Sequence, residues 1–382
     1  MEITIFMKKE NFYYFYISDK ASRFIKLNNN MGKILLLIFL SIIFSLQISY
    51  AQQDSIVKAK TLPEDQEAEK LYNSGINNFS NKSYNEALSD FDKAIAMKPT
   101  FDKAYYNRGV TKQEMKDYKG AIDDFNKTIE LNPQAEDAYF NRAQVKYVMG
   151  DKQAAEADYS KTIEVKNTYA QAYYYRGGIK FENGDYKGAI DDYTQAVKNK
   201  SDYAYAYNDR GSAKRQLEDY DGAISDYNKA LIINSDMAFA YNNLASAKRK
   251  KNDFKGAISD YTEAIKIKKD YYIAYNNRGS AKFDAGDYEG AVADFTDAIK
   301  YNPDYSFAYN NRAAAEFKLK KYKESVGDCD MAIKLNSQYG YAYLNRGIAK
   351  EMLRDNEGAC KDWEKAASLG VNGASKYIND CK

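Results

Sequence analysis

The chain of 382 residues holds 56 Lys or Arg, 54 Asp or Glu, three cysteines and no histidine. The absence of histidine excludes histidine acid–base catalysis, histidine metal sites and Cys–His nucleophile pairs, and the near-neutral charge argues against a nucleic-acid-binding surface. The composition therefore predicts no catalytic residue, no metal and no cofactor, and a function other than that of an enzyme.

The first 30 residues stand apart from the rest of the chain. Residues 1–30 are mixed and aromatic, show no clear period, and precede a second methionine, Met31. We interpret them as an upstream extension before the true start at Met31; the alternative is an unusually long n-region that begins at Met1.

Residues 31–51 have the features of a secretory signal peptide. Lys33 precedes an apolar run of 13 residues, and Ser49 and Ala51 are small residues at the two places that a signal peptidase recognises. The alternative is a membrane anchor, but 13 apolar residues fall short of the roughly 20 that span a bilayer. We expect cleavage near Ala51 and export to the periplasm or the extracellular space, with no stable membrane insertion.

The mature chain would begin with a polar lead-in. Residues 52–67 are polar and contain Pro63, which interrupts any helix. Removing residues 1–51 deletes six Lys or Arg and three Asp or Glu, so the remainder carries a formal net charge of −1.

A pattern of 34 residues then recurs nine times without a gap, which is typical of a solenoid. The repeats, numbered 1 to 9, span residues 68–101, 102–135, 136–169, 170–203, 204–237, 238–271, 272–305, 306–339 and 340–373. No single repeat can bury a core alone, but a stack of nine can.

The pattern within each repeat predicts two helices, called helix A and helix B. In repeat 2 the helical patterns run from Ala104 to about Met115 and from Tyr118 to about Leu131, with Lys116 and Asp117 between them. An Asp such as Asp117 stands before most helices B, where its side chain can accept from free backbone N–H groups. The repeat is therefore a helical hairpin.

In repeat 2, Tyr118, Ala121, Phe125 and Pro133 stand at places most of which are refilled in the other repeats. These residues fit the motif of the tetratricopeptide repeat (TPR) family, which the chain resembles over residues 68–373. The sequence departs from the motif at Lys152, Asn356 and Cys329 and in having few prolines. The resemblance implies an all-α fold, a right-handed superhelical α-solenoid of stacked antiparallel helix pairs.

Two charged residues recur inside the repeats. One Arg precedes the small residue of helix A in seven repeats, and one Asp precedes the helix B aromatic or its substitute in all nine. We expect a structural Arg–Asp ladder formed by Arg108, Arg142, Arg176, Arg210, Arg278, Arg312 and Arg346 with Asp124, Asp158, Asp192, Asp226, Asp260, Asp294, Asp328 and Asp362. The alternative is an anion-binding stripe of arginines, although one Asp in each repeat neutralises it.

The family resemblance implies that helix A lines a concave groove. We expect its groove face to run through residues spaced i, i+4, i+7. The groove residues predicted in this way are Tyr106, Phe140, Tyr174, Asn208, Asn242, Asn276 and Asn310 at the first place and Tyr147, Phe181, Arg215, Arg249, Phe283 and Phe317 at the last. Some family members grip a terminal carboxylate with groove Asn and Lys, but Ser246, Ser280 and Ala314 stand where that site needs Asn, so this specificity is not carried over.

The C-terminal residues 374–382 predict a short cap helix over the last hairpin. Cys360 and Cys381 form a candidate disulfide that would clamp this cap in an exported protein. Cys329 occupies an aromatic core place and is interpreted as buried and inert.

These features favour an exported, non-enzymatic scaffold whose groove binds an extended segment of another protein in the cell envelope. The alternative is a carbohydrate or cell-wall glycan binder that uses the same aromatic and Asn lining. A third hypothesis is a structural spacer without a ligand. Self-association through the open solenoid ends is also compatible with the sequence.

Overall fold

The computed structural model describes residues 65–378 and Cys381. The upstream extension 1–30, the signal peptide 31–51 and all but the end of the lead-in 52–67 lie outside the described residues. Between residues 65 and 378 every regular element is a helix, and adjacent helices pack in pairs. The predicted all-α fold of stacked hairpins is confirmed.

Nineteen helices, α1 to α19, are present in the described range. The helices A span 65–80 (α1), Asp102–Glu114 (α3), Glu136–Val148 (α5), Ala170–Glu182 (α7), Ala204–Gln216 (α9), Ala238–Lys250 (α11), Tyr272–Asp284 (α13), Ser306–Lys318 (α15) and Gly340–Met352 (α17). The helices B span Tyr84–Met97 (α2), Tyr118–Leu131 (α4), Lys152–Val165 (α6), Tyr186–Asn199 (α8), Tyr220–Ile233 (α10), Phe254–Ile267 (α12), Tyr288–Tyr301 (α14), Tyr322–Leu335 (α16) and Asn356–Ser368 (α18). The cap helix α19 spans Ala374–Ile378.

The turn between helix A and helix B uses the same local devices in most repeats. Asp219, for example, accepts a hydrogen bond from the Gly222 backbone N–H at 2.9 Å and so caps α10. Two residues before the first residue of each helix B, the chain adopts a positive φ, as at Glu218 and Gly286. Glycine reaches this left-handed conformation without steric cost.

The chain divides into two compact parts, one ending at Pro133 and the other beginning at Gln134. The first part contains repeats 1 and 2, and the second contains repeats 3 to 9 and the cap helix. From repeat 4 onward, each helix A packs between helix B of its own repeat and helix B of the preceding one. From α7 to α17, successive helices A also contact one another more closely than successive helices B do, so the helix A row forms the inner side of this stack.

Small residues allow the two helices of a hairpin to approach. A Cβ atom on Gly211 would lie 2.9 Å from Cε1 of Tyr227, a distance that real side chains do not show. Tyr227 and its counterparts Tyr159 and Tyr261 are among the largest fully buried side chains. The core is therefore a line of small-against-large contacts, one in most hairpins.

The cap is attached covalently and by packing. Cys360 on α18 and Cys381 form a disulfide with a Cα–Cα distance of 5.7 Å. Ala374 is fully buried, and the ring of Tyr377 lies 5.1 Å from that of Trp363. Cys329 is a buried free cysteine. In the described part of the chain, no helix is both long and apolar enough to cross a bilayer.

Candidate functional site

The recurring arginines hold the recurring aspartates through two parallel hydrogen bonds. Arg210 donates from Nε to Oδ2 of Asp226 at 2.9 Å and from Nη2 to Oδ1 at 2.6 Å. The same fork joins the pairs Arg108–Asp124, Arg142–Asp158, Arg176–Asp192, Arg278–Asp294, Arg312–Asp328 and Arg346–Asp362. Each pair lies inside one repeat and bridges helix A to helix B.

The third guanidinium nitrogen extends this connection to the preceding repeat. Arg210 Nη1 donates to Thr194 Oγ1 at 3.2 Å, and Arg346 Nη1 donates to Asp330 at 2.7 Å. Each of these arginines therefore contacts helix B of its own repeat and helix B of the repeat before it. The ladder thus ties successive repeats together as well as the two helices of one hairpin.

A lysine of helix A, not predicted from the sequence, shares the same carboxylate. Lys214 Nζ lies 2.8 Å from Oδ2 of Asp226, and the contact recurs in most repeats. In repeat 6, where Leu244 replaces the arginine, Lys248 alone pairs with Asp260 at 2.6 Å. Burial raises the pKa of Asp260, and Lys248 opposes the rise.

The ladder arginines are therefore not available as a ligand-binding stripe. The guanidinium of Arg312 has its pKa raised chiefly by its hydrogen bonds to Asp328. Each ladder arginine stacks against a tyrosine three residues earlier, as Arg210 does on Tyr207 with 5.3 Å to the ring centroid. Both the charge and the donors of these side chains are satisfied within the fold.

The aromatic residues predicted for the first groove place are packing residues. In the first part, the Tyr106 ring lies 6.0 Å from that of Phe125. In the second part, Phe140 contacts Tyr159 and Tyr169. All these residues are half-buried or buried, so the first place faces the hairpin interior more than the solvent.

Tyr174 occupies the same place in repeat 4. Its ring lies 4.9 Å from that of Tyr203, and its hydroxyl donates to Oδ2 of Asp209 at 2.8 Å. Burial raises the pKa of Asp209, while the hydrogen bonds from Tyr174 and Asn208 oppose that rise. Tyr174 is therefore committed to contacts within the fold.

The asparagines predicted for the same place also differ from the expectation. Asn208, Asn242, Asn276 and Asn310 are only 3, 8, 6 and 6% exposed. Each accepts from the amide of an asparagine 35 residues later, through Asn243, Asn277, Asn311 and Asn345, at 2.9–3.2 Å. These amides form a ladder between successive helices A and are not free to bind a partner.

The residues predicted for the last groove place are half-buried. Phe181, Phe283 and Phe317 each contact the first tyrosine of the following helix B at 5.2–5.3 Å between ring centroids. Tyr147 donates to Glu182 at 2.6 Å, and Arg249 donates to Asp284 at 2.6 Å. Arg215 is different, since its Nε is buried and has no hydrogen-bond partner.

The exposed face of helix A lies along its second and last residues. Tyr205, Phe307 and Tyr341, the second residues of α9, α15 and α17, are 51, 48 and 55% exposed. Phe239 holds the same place on α11, and its ring is stacked 5.9 Å from that of Tyr205. We call Tyr205, Phe239, Phe307 and Tyr341 the aromatic row.

The aromatic row was not predicted from the sequence, although a signal for it was present. Apolar residues recur every 34 positions immediately before a fully buried alanine such as Ala206. Two adjacent residues of one helix point about 100° apart, so a residue next to a fully buried alanine lies toward the edge of the buried face. Apolar residues that recur immediately before the buried alanines therefore indicate a row of exposed apolar side chains.

Models of the tetratricopeptide repeat match residues 102–134, 140–204, 176–238, 240–271 and 276–340. None of the curated protein sequences matches the chain significantly.

Two of the solved structures that match the chain illustrate the similarity of fold. A tetratricopeptide repeat protein from Parabacteroides merdae is 19% identical with a TM-score of 0.54, over 65% of this chain and 99% of that one. The C-terminal part of a TPR repeat-containing protein from Cytophaga hutchinsonii is 19% identical with a TM-score of 0.53, over 63% of this chain and 98% of that one. At this identity the likeness concerns the fold. Because the repeat models cover more than half of the chain and the helices stack in matching pairs, the chain belongs to the tetratricopeptide repeat family.

Proposed function

We propose that the chain is a non-enzymatic scaffold of the cell envelope that binds an extended segment of another protein along the helix A face of repeats 5 to 9. The tetratricopeptide repeat is typically a scaffold for protein–protein interaction. The observation that carries the proposal is the aromatic row on the helices A, of which Tyr205, Phe307 and Tyr341 are about half exposed to solvent. Exposed aromatic side chains that recur along one surface are typical of interaction sites.

The hydrogen bonds of the asparagines favour a protein over a glycan. A sugar-binding groove would need free amides to hold hydroxyl groups beside the aromatic rings. Each side-chain carbonyl of these asparagines instead accepts a hydrogen bond from an asparagine of the next repeat. The four acceptors are Asn208, Asn242, Asn276 and Asn310. Apolar side chains of a partner segment need only the exposed rings, which the aromatic row provides.

A crosslinking pull-down from the envelope fraction tests this function. The wild-type chain is compared with a variant carrying Tyr205→Ala, Phe307→Ala and Tyr341→Ala, and with the control Ile232→Ala. Ile232 is 77% exposed and lies on helix B, away from the row. Both variants should remain folded because none of the four side chains is buried, and a melting curve of each checks this.

A partner that is recovered with the wild type and the control, but not with the triple variant, supports the scaffold. Recovery of the same proteins with all three chains would contradict it, and a glycan array would then test the sugar alternative. Substitution of Tyr174, Asn242 or Asn276 would be a poor test, because these residues pack or hydrogen-bond within the fold.

Export is the second part of the proposal, and it follows from residues 31–51. The chain should be recovered from the envelope or the medium with Gln52 as its first residue. The mass of the intact protein purified from its native host decides this. A cytoplasmic chain that keeps residues 31–51 would contradict export, but it would leave the groove proposal standing.

A further inference from the structure

Exposed apolar side chains recur at the end of helix A. In repeats 3 to 9, apolar residues that are 38–59% exposed end this helix or directly follow it, namely Val148, Met149, Leu217, Met352 and Leu353. The aromatic row lies at the other end of these helices, at their second residues. The turns between helix A and helix B therefore form an edge of the stack that has exposed apolar side chains of its own.

The turns of repeats 8 and 9 add a group of positive charges to this edge. The six residues 318–323 contain four lysines and no acid. All four are exposed, namely Lys318, Lys320, Lys321 and Lys323. Arg354 is also exposed, and it holds in repeat 9 the left-handed place of the turn that Lys320 holds in repeat 8. Because α15 and α17 contact each other, these five cations, which we call the basic edge, lie on neighbouring turns.

The cations of the basic edge are not held by carboxylates of the fold. In repeat 6, Lys251 pairs with Asp221 of repeat 5, and Arg249 pairs with Asp284 of repeat 7. In repeat 8 the place of Lys251 is taken by Leu319, which cannot form such a pair. Among the residues that the structure describes, no carboxylate forms an ion pair with a member of the basic edge.

The acids of the same two turns are fewer than the cations. Residues 318–324 and 351–355 contain three acids, Glu324, Glu351 and Asp355, which leaves these two segments with a net charge of +2. Asp355 is already occupied, because it accepts a hydrogen bond from the Gly358 backbone N–H at 2.9 Å. The basic edge therefore presents a positive potential to the solvent.

Two exposed apolar residues adjoin the basic edge. Met352 and Leu353, which are 48 and 38% exposed, immediately precede Arg354. A bilayer that contains anionic lipids suits both kinds of side chain, because its phosphates attract cations and the boundary between headgroups and acyl chains takes up apolar side chains. An acidic protein surface would attract the cations but would leave Met352 and Leu353 in water.

We propose that the basic edge, together with Met352 and Leu353, is a docking surface for an anionic lipid bilayer. The five cations would lie at the lipid phosphates, and the two apolar side chains at the boundary with the acyl chains. The inference goes beyond the proposed function and does not depend on the partner segment. Phe307 of the aromatic row and Lys318 lie at opposite ends of α15, roughly 16 Å apart along the helix axis. A bilayer at the basic edge therefore leaves the aromatic row open to a partner.

Co-sedimentation with vesicles tests this docking surface. Every chain is purified from the native host, so that all variants share the same N-terminus and any binding by residues 1–51 is common to them. The vesicles consist of phosphatidylcholine alone or of equal parts of phosphatidylcholine and phosphatidylglycerol. The wild type should bind the anionic vesicles more strongly than the neutral ones, and added NaCl should abolish this difference. Equal binding to both kinds of vesicle would overturn the proposal.

Lysine substitutions locate the binding surface. The edge variant carries Lys318→Gln, Lys320→Gln and Lys323→Gln, which keep long polar side chains and remove three charges. One basic residue near an anionic surface changes the partition coefficient about fivefold. The edge variant should therefore bind the anionic vesicles roughly a hundredfold more weakly than the wild type.

A matched control removes the same charge from another surface. It carries three substitutions at exposed places on helices B, namely Lys198→Gln, Lys229→Gln and Lys334→Gln. This variant should bind the anionic vesicles as the wild type does, and melting curves of both variants exclude unfolding as the cause of a difference. An equal loss in the edge variant and the control, or no loss in either, would overturn the proposal.

The apolar residues provide a separate readout. The double variant Met352→Gln with Leu353→Gln keeps every charge and should bind the anionic vesicles several-fold more weakly. Ile232→Gln, at a 77% exposed place on helix B, is its control and should bind as the wild type does. Unchanged binding of the double variant would overturn the bilayer and favour an acidic protein as the partner of the basic edge. A negative result with vesicles leaves the scaffold standing, because the pull-down tests the aromatic row alone.

Discussion

Arg210 holds the buried carboxylate of Asp226 through a two-bond fork, and it also reaches the helix B of the preceding repeat. Arg210→Leu should therefore destabilise the stack. The change leaves Asp226 with Lys214 alone, and breaking a buried ion pair costs about 3–5 kcal/mol when one charge is left without a partner. Because Lys214 remains, we expect a loss of about 2 kcal/mol, measured as a lower melting temperature.

Repeat 6 provides the internal comparison for this prediction. Leu244 already occupies the arginine place, and Asp260 keeps only Lys248. Leu244→Arg should build the missing fork and lower the pKa of Asp260 toward its ordinary value. A melting temperature of Arg210→Leu equal to that of the wild type would contradict a structural role for the ladder.

The sequence allowed the fold and this ladder to be predicted for one physical reason. Arg210 and Asp226 are 16 residues apart, and this spacing recurs in seven repeats. A contact inside one hairpin keeps its sequence spacing, so a recurring pair of opposite charges indicates a contact. The small and aromatic core residues could be assigned in the same way.

The groove face could not be located with the same accuracy. Adjacent residues of helix A point about 100° apart. An error of one residue in the assigned groove face therefore exchanges a buried side chain for an exposed one. Asn208 and Asn243 come together only through the rotation between successive repeats, which no spacing within one repeat reveals. For this reason the Asn residues expected in the groove are buried, and the exposed Tyr205 was missed.

Repeat 8 carries a buried acid where other repeats carry a lysine. Glu316 stands at the place of Lys282, which pairs with Asp294 at 2.9 Å. Glu316 is 9% exposed, and its Oε2 has no hydrogen-bond partner. Burial, together with Asp328 and Glu324, raises the pKa of Glu316 to about 7, while Arg312 and Lys321 oppose the rise.

Because the pKa of Glu316 is raised, the stability of the folded protein should fall as the pH rises. The folded state favours protonated Glu316, so its contribution to stability is present at low pH and is lost as the pH rises through about 7. Glu316→Gln should remove this loss and stabilise the protein at pH 8 by about 1–2 kcal/mol more than at pH 5. Melting temperatures at both pH values measure the difference.

Two further variants control this experiment. Glu316→Lys should restore the pair seen at Lys282 and should stabilise the chain at pH 8 at least as well as Glu316→Gln. Glu364→Gln, on the exposed side of α18, should change stability little at either pH. Equal effects of Glu316→Gln at pH 5 and pH 8 would show that Glu316 does not titrate with a raised pKa.

The disulfide between Cys360 and Cys381 should stabilise the cap more than the whole stack. It closes a loop with a sequence separation of 21 residues, which corresponds to roughly 3 kcal/mol in the chain-entropy model. Each repeat of a solenoid contacts only its neighbours, so Cys381→Ser should loosen α19 and α18 and leave repeats 3 to 7 unchanged. Hydrogen exchange followed by mass spectrometry measures this region by region.

Reduction distinguishes the effect of losing the disulfide bond from the effect of changing the Cys381 side chain. Reduction of the wild type should reproduce the faster exchange of Cys381→Ser, and it should add nothing to that variant. Faster exchange across all repeats, or none near residues 374–378, would contradict a local clamp.

Repeat 8 also lacks the helix cap that other repeats have. Lys321 precedes α16 and makes no side-chain cap hydrogen bond, whereas Asp219 accepts from the Gly222 N–H at 2.9 Å. Lys321→Asp should therefore stabilise the protein by about 1 kcal/mol, the usual value of such a cap. The residue that would donate is Glu324 instead of glycine, but Ala154 donates to Asp151 at 3.0 Å in repeat 3, so a side chain at this place is compatible with the cap.

Removal of the cap in repeat 5 gives the size of the stability change expected for one cap hydrogen bond. Asp219→Ala should lower the melting temperature by about as much as Lys321→Asp raises it, since each changes one cap bond. Lys321→Asp also removes a positive charge that favours ionised Glu316, so its benefit should be smaller at pH 8 than at pH 5. A gain that is larger at pH 8 would show that the cap and Glu316 are not coupled in this way.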